Sequence, residues 1–167
     1  MSLDGFIAGP KGEYDWIVFD PAFDFAALYR PFDTLLIGRR TFEVMQERGM
    51  TPAGMGMKAV VVSTTLKPEQ HPDVTIVASE IPEAVAALKA QPGKDIWLCG
   101  GATLFRCLLD AGLVDAVDVA VMPILLGSGV PLLPEGRRCP LHLGECKALP
   151  GGIVMLKYAT GSRPFAM

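Results

Sequence analysis

Residues 95–112 read DIWLCGGATLFRCLLDAG. An apolar, β-prone run (95–99) meets an adjacent glycine pair, Gly100 and Gly101. A helix-like stretch (102–111) follows, stopped by Gly112 in the position that favours a left-handed cap. This predicts a strand, a tight turn and a helix. The same order occurs upstream: Thr34-Leu35-Leu36-Ile37 ends at Gly38, and 41–48 places Phe42 and Met45 three apart behind Thr41 as a possible cap. Two such units make an α/β domain with a largely parallel sheet the expected fold.

Further strands are expected at 59–63 (AVVVS) and 74–78 (VTIVA), after a glycine- and methionine-rich loop over 49–58. Ser79 and Pro82 announce a helix through about Lys89. Residues 116–125 read as a strand and 127–134 as a glycine- and proline-rich loop. Residues 142–149 and 153–159, separated by Pro150, Gly151 and Gly152, read as an antiparallel hairpin.

The chain has 167 residues, half of them hydrophobic and 20% charged, which suits one domain, 1–167, with a single core. A net charge of -3, from 15 basic and 18 acidic residues without long runs, gives no electrostatic footprint for a nucleic acid. No apolar stretch reaches the ~18 to 20 residues of a membrane span. Asp4, Gly5, Gly9, Pro10 and Lys11 interrupt any leader-like start, so a cytoplasmic protein is expected. Cys99, Cys107, Cys139 and Cys146 form no CxxC, and with only His71 and His142 beside them they predict no metal site. The two histidines build no nucleophilic triad either.

In open α/β sheets ligands bind beyond the carboxyl ends of the strands, where helix N-termini favour anions. Three loops answer to that rule. Gly38-Arg39-Arg40-Thr41 combines two guanidinium groups, a hydroxyl and free N-H groups, which suit a phosphate and equally a solvated helix start. Gly100-Gly101-Ala102-Thr103 lets the backbone approach a pyrophosphate, or simply turns the chain. Ser63-Thr64-Thr65 offers hydroxyls to a ribose, or caps a turn. With no nucleophile or metal in view, a bound cofactor is expected to carry the chemistry. Asp4, in a turn, is the acid placed nearest a substrate.

These loops, in this order, resemble the dihydrofolate-reductase-like superfamily, in particular the C-terminal reductase domain of the bifunctional riboflavin-biosynthesis enzymes. The resemblance rests on SLDGFIAGPKGEYDW at 2–16, TLLIGRRTFEVM at 34–45, VVVSTTL at 60–66 and the block at 97–133, where the glycine pair, GLVD and P-x-L-L-G-x-G occur together. It implies a dihydrofolate-reductase-like α/β fold: a mostly parallel central sheet, flanking helices and the antiparallel C-terminal hairpin. It also implies NADPH as cofactor, hydride transfer to a small-molecule substrate, and a homodimer, which the mean hydropathy of +0.35 suits.

By the same resemblance Gly38 belongs to the cofactor-binding loop, Arg39 and Arg40 face the 2′-phosphate and adenine side of NADPH, and Thr41 its pyrophosphate. Ser63 and Thr64 lie around the adenosine ribose. Gly100, Gly101, Ala102 and Thr103 wrap the pyrophosphate, with Leu104 and Phe105 continuing along the helix. Asp4, Ile7 and Ala8 lie beside nicotinamide and substrate, and Trp16 flanks the substrate pocket. Asp24 stands near the pocket carboxylate of dihydrofolate reductase, off by a residue or two. The HxE and PCxxC pattern of the zinc deaminase half is absent from these residues, which leaves the reductase, or an NADP-binding module without turnover. In relatives a full central strand precedes SLDG, so an upstream start is expected.

Overall fold

The computed structural model describes residues 1–18 and 24–161, and its chain contacts group into two compact units. One is contiguous, Asp24–Leu113; the other joins the two flanking segments, Met1–Phe23 and Val114–Met167.

The contiguous unit holds a four-stranded parallel sheet in the order β4-β3-β2-β5, formed by β2 (Phe32–Gly38), β3 (Lys58–Val62), β4 (Thr75–Val77) and β5 (Asp95–Gly100). The TLLI run lies in β2, an inner strand whose residues Thr34 to Ile37 are all buried, which is why it is apolar without alternation. Helix α1 (Phe25–Tyr29) precedes β2, α2 (Arg39–Glu47) follows it, α3 (Ile81–Lys89) follows β4, and α4 (Ala102–Asp110) follows β5. Phe42 and Met45 of α2 are buried, as their spacing predicts, in one cluster with Leu35, Ile37, Met57 and Val61. Each such side chain, fully buried, contributes roughly 1.5–3 kcal/mol.

Two helix starts differ from the expectation. α2 begins at Arg39 with Gly38 as its N-cap, so Thr41 lies inside the first turn instead of capping it. α3 is capped by Glu80, in left-handed backbone (φ 49°), and not by Ser79; Pro82 occupies its first turn as predicted. Gly112 (φ 70°) ends α4 as expected.

In the second unit β8 (Leu141–Ala148) and β9 (Val154–Thr160) form the predicted hairpin. It belongs to an antiparallel sheet of its own, ordered β6-β9-β8, with β6 (Ala116–Val121) on the other side of β9. Short β1 (Phe6–Ala8) pairs with β7 (Val130–Pro131), a strand inside the stretch read as loop. Residues 1–3 run beside 120–124: the Met1 α-ammonium donates to the Ala120 carbonyl, Met122 N to Met1 O, and Leu3 N to Ile124 O. No helix among the described residues is long and apolar enough to cross a membrane.

Candidate functional site

β2 and β5 are neighbours, with Ile37 opposite Gly100, so the chain leaves both strands at the same edge of the sheet and enters α2 and α4 side by side. Glycine lets the two turns approach. A Cβ on Gly38 would lie 3.4 Å from Gly101 N and 3.7 Å from Gly100 O. Gly100 has φ +119°, which side chains rarely adopt, and the Gly100–Gly101 peptide is cis. Thr41 Oγ1 would lie 3.9 and 3.7 Å from Cβ atoms added to Gly100 and Gly101. Gly38, Thr41, Gly100 and Gly101 thus surround one small space walled mainly by backbone.

Both N-caps are glycines without a capping side chain, so the first N-H groups of α2 and α4 have no side-chain acceptor there. Each helix start carries about half a positive charge, and two together form an anion cradle. A pyrophosphate fits that donor set, and a Cβ on any of the three glycines would narrow the space. Arg39 Nη1 donates to Glu43 Oε1 at 2.8 Å, both side chains being about 40% exposed. Exposed Arg40 has no hydrogen-bond or ion-pair partner among the described residues.

Ser63 emerges from β3 at the same sheet edge, since Gly38 lies opposite Val62. Its buried Oγ accepts from Thr65 N (3.2 Å) and Leu66 N (3.0 Å), so the hydroxyl caps the turn. Thr64 and Thr103 are exposed, Gly101 and Ala102 partly so, and Leu104 is buried. Phe105 N donates to Gly101 O at 3.0 Å, the bond that opens α4. Asp24 caps α1, its Oδ1 accepting from Ala27 N at 2.9 Å.

Asp4, Ile7, Ala8 and Trp16 belong to the other unit. The Asp4 carboxylate accepts from Gly127 N at 2.7 Å and from Leu126 N at 3.1 Å. Ser2's hydroxyl, first, and these amides hold its carboxyl down to about 2. That hydroxyl has one proton, and the Phe6 carbonyl, at 3.4 Å, is the weaker claimant beside a carboxylate. A group so held is ionised at neutral pH: it orients and accepts, and is ill-matched to relaying a proton. Ile7 and Ala8 lie in β1, where a Cβ on Gly129 would collide with the Ala8 carbonyl. Trp16 Nε1 donates to Glu13 O at 3.1 Å.

The structure therefore brings the Gly38–Thr41 and Gly100–Thr103 loops together, with Ser63 and Thr64 following the adjacent strand. A shallow cavity of about 280 Å³, lined by Tyr29, Arg30, Phe32, Met55 and Lys94 among others, lies at the opposite edge, where β2 and β5 begin; no predicted site residue lines it. Sequence reading missed the Asp4 clasp, because 122 positions separate Asp4 from Leu126. It also missed the Arg39–Glu43 pair, which its i,i+4 spacing could have signalled.

The chain is similar to known proteins. YyaP of Bacillus subtilis is 33% identical over 170 residues, covering 95% of this chain and 90% of YyaP. The riboflavin biosynthesis protein RibD of Corynebacterium ammoniagenes is 29% identical over 148 residues; the match takes in 80% of this chain and 44% of that longer protein. Among solved structures, a putative riboflavin biosynthesis protein from Shewanella sp. PV-4 superposes with a TM-score of 0.82 at 25% identity, covering 96% of this chain and 95% of its own. The model of the RibD C-terminal domain matches residues 1–155, and with it the chain belongs to the RibD C-terminal domain family, with a dihydrofolate-reductase-like fold.

Proposed function

We propose that this protein is an NADPH-dependent reductase of a small heterocyclic substrate, similar in chemistry to 5-amino-6-(5-phosphoribosylamino)uracil reductase or dihydrofolate reductase, acting as a cytoplasmic homodimer. The observation that carries the reading is the pair of uncapped helix starts meeting across Gly38, Gly100 and Gly101. The N-H groups of 39–41 and 102–104 hold a pyrophosphate there, with Thr41 Oγ1 at its side. Arg40, and Arg39 once it leaves Glu43, meet the 2′-phosphate; an exposed ion pair is worth about 0–1 kcal/mol, so a doubly charged phosphate competes for Arg39. Ser63 and Thr64 border the adenosine ribose, Ser63 by shaping the turn.

When bound, the nicotinamide supplies the hydride. The roles of Ile7, Ala8, Trp16 and Asp24 beside nicotinamide and substrate rest on the family alone. Asp4, ionised, orients the substrate or the loop it clasps. The proton that accompanies the hydride then comes from another donor.

That last point favours a second reading, a nucleotide-binding module without turnover. Calorimetry with NADPH and NADH, followed by NADPH absorbance against pterin, ribitylamino-pyrimidine and quinone substrates, tests both. Tighter binding of NADPH and its oxidation by one of these substrates is the expected result. Equal affinity for the two nucleotides overturns the cofactor assignment; tight NADPH binding with no oxidation establishes the module.

A further inference from the structure

The cavity at the starting edge of the parallel sheet lies apart from the anion cradle. The seven residues of β2, spanning roughly 20 Å, separate the two, so a small ligand held at one end does not reach the other. At about 280 Å³ it falls just below the ~300–1,000 Å³ usual for small-molecule sites, which suits a ligand of one or two rings. Its wall is largely aromatic. Tyr29 and Phe32 line it, and both pack on Trp97 of β5, with ring centroids 5.3 and 5.8 Å away. Met55 adds a polarisable thioether, while Ala26, Gly54 and Gly56 contribute almost no side chain to fill the space. A flat ring packs on such a wall by offset stacking and sulfur–aromatic contact.

Two cations complete the lining. The guanidinium of exposed Arg30 has no hydrogen-bond or ion-pair partner among the described residues. Lys94 Nζ donates to the Arg30 carbonyl at 2.9 Å, which leaves further N-H donors on the same ammonium. The Asp33 carboxylate is engaged by Lys94 N at 2.7 Å and by Thr34 Oγ1 at 2.8 Å. The backbone limits how much negative charge can enter. Helix α1 ends at Arg30, and the carbonyls of its last turn oppose a dianion more than a monoanion. A carboxylate, singly charged and matched to the planar fork of Arg30, therefore suits the cavity better than a phosphate dianion.

We propose that this cavity binds an aromatic carboxylate, with its ring against Tyr29, Phe32 and Met55 and its carboxylate between Arg30 and Lys94. The inference is independent of the reductase reading, and its failure leaves the cofactor assignment, tested by calorimetry, untouched. The probe is naphthalene-2-carboxylate, titrated into the full chain and followed by NMR of the backbone amides and the Trp97 indole N-H. Saturable shifts are expected at Tyr29, Arg30, Gly54, Gly56, Lys94 and that indole, with none at 38–41 or 100–104. Naphthalene-2-carboxamide, of the same size without the charge, should bind at least tenfold more weakly, and inorganic phosphate should leave these signals in place. Arg30→Gln changes a side chain without a partner and should weaken binding about tenfold at an unchanged thermal midpoint. Ala26→Phe, at an exposed position of α1, should abolish binding by filling the space. The absence of saturable shifts, or shifts confined to 38–41 and 100–104, overturns the site. Equal affinity for acid and carboxamide, or undiminished affinity in Arg30→Gln, overturns the role of the carboxylate. Saturable phosphate binding with the same shifts overturns the role of the ring.

Discussion

Asp4 Oδ2 accepts the Gly127 amide at 2.7 Å, tying the turn after residues 1–3 to the P-x-L-L-G-x-G loop 123 positions away. Its carboxyl lies near 2, below the ordinary 3.8. A depressed folded pKa gives stability that is complete above the unfolded value and lost as pH falls through the folded one. The contribution of Asp4 is therefore present above about pH 4 and lost toward about pH 2. Asp4→Asn should have a lower thermal midpoint than the parent at pH 7, and the gap should close as pH approaches 2. A gap of constant size across that range would show that the charge is not what holds the loop.

Gly38→Ala isolates the cradle from the fold. The added Cβ meets Gly101 N at 3.4 Å, ordinary contact, and the backbone there (φ -80°, ψ 157°) is open to alanine. Alanine is a poorer N-cap than glycine, a cost of about 1 kcal/mol or less. NADPH affinity should fall at least tenfold, read by calorimetry beside the thermal midpoint. Unchanged affinity would remove the pyrophosphate from this space.

Replacing Arg39 and Arg40 with alanine should weaken NADPH selectively and leave NADH alone. Hydrogen bonds to charged groups are worth about 1.5–3 kcal/mol, which corresponds to roughly ten- to a hundredfold in affinity. Glu43→Gln, which releases Arg39 from its 2.8 Å pair, should tighten NADPH binding. A parallel loss of both nucleotides in the double variant would assign the arginines to the shared part of the cofactor.

Leu35→Ala should cost about 2–5 kcal/mol in denaturant unfolding, because Leu35 is fully buried with Ile37, Phe42 and Val61 and the vacated volume cannot collapse readily. A loss under 1 kcal/mol would mean that β2 is not the centre of that core.

The strand-turn-helix units around Gly38 and Gly100 were legible because their signals are local: an apolar run, a glycine, then helical spacing. β7 was not, since Pro131 and the glycines before it read as loop, and only its pairing with β1 makes it a strand. Thr41 carries the chemistry of a cap, but Gly38 takes that place and Thr41 faces the glycine pair instead. The three phosphate-friendly loops could be named from sequence, and the meeting of two of them followed from β2 and β5 being neighbours. The hold on Asp4 could not be read at all, because backbone amides from a distant loop leave no trace in residue identity.

The division of the chain into a contiguous unit and a flanking one has a consequence for biosynthesis. Residues 24–113 leave the ribosome with every strand of their sheet available, so that unit can fold while translation continues. Met1 to Ala8 find their partners only at 120–131, which at about 5–20 residues per second emerge some seconds later. Until then the nascent chain carries an unsatisfied β-prone segment at its start, and this interval is when a chaperone has most to protect.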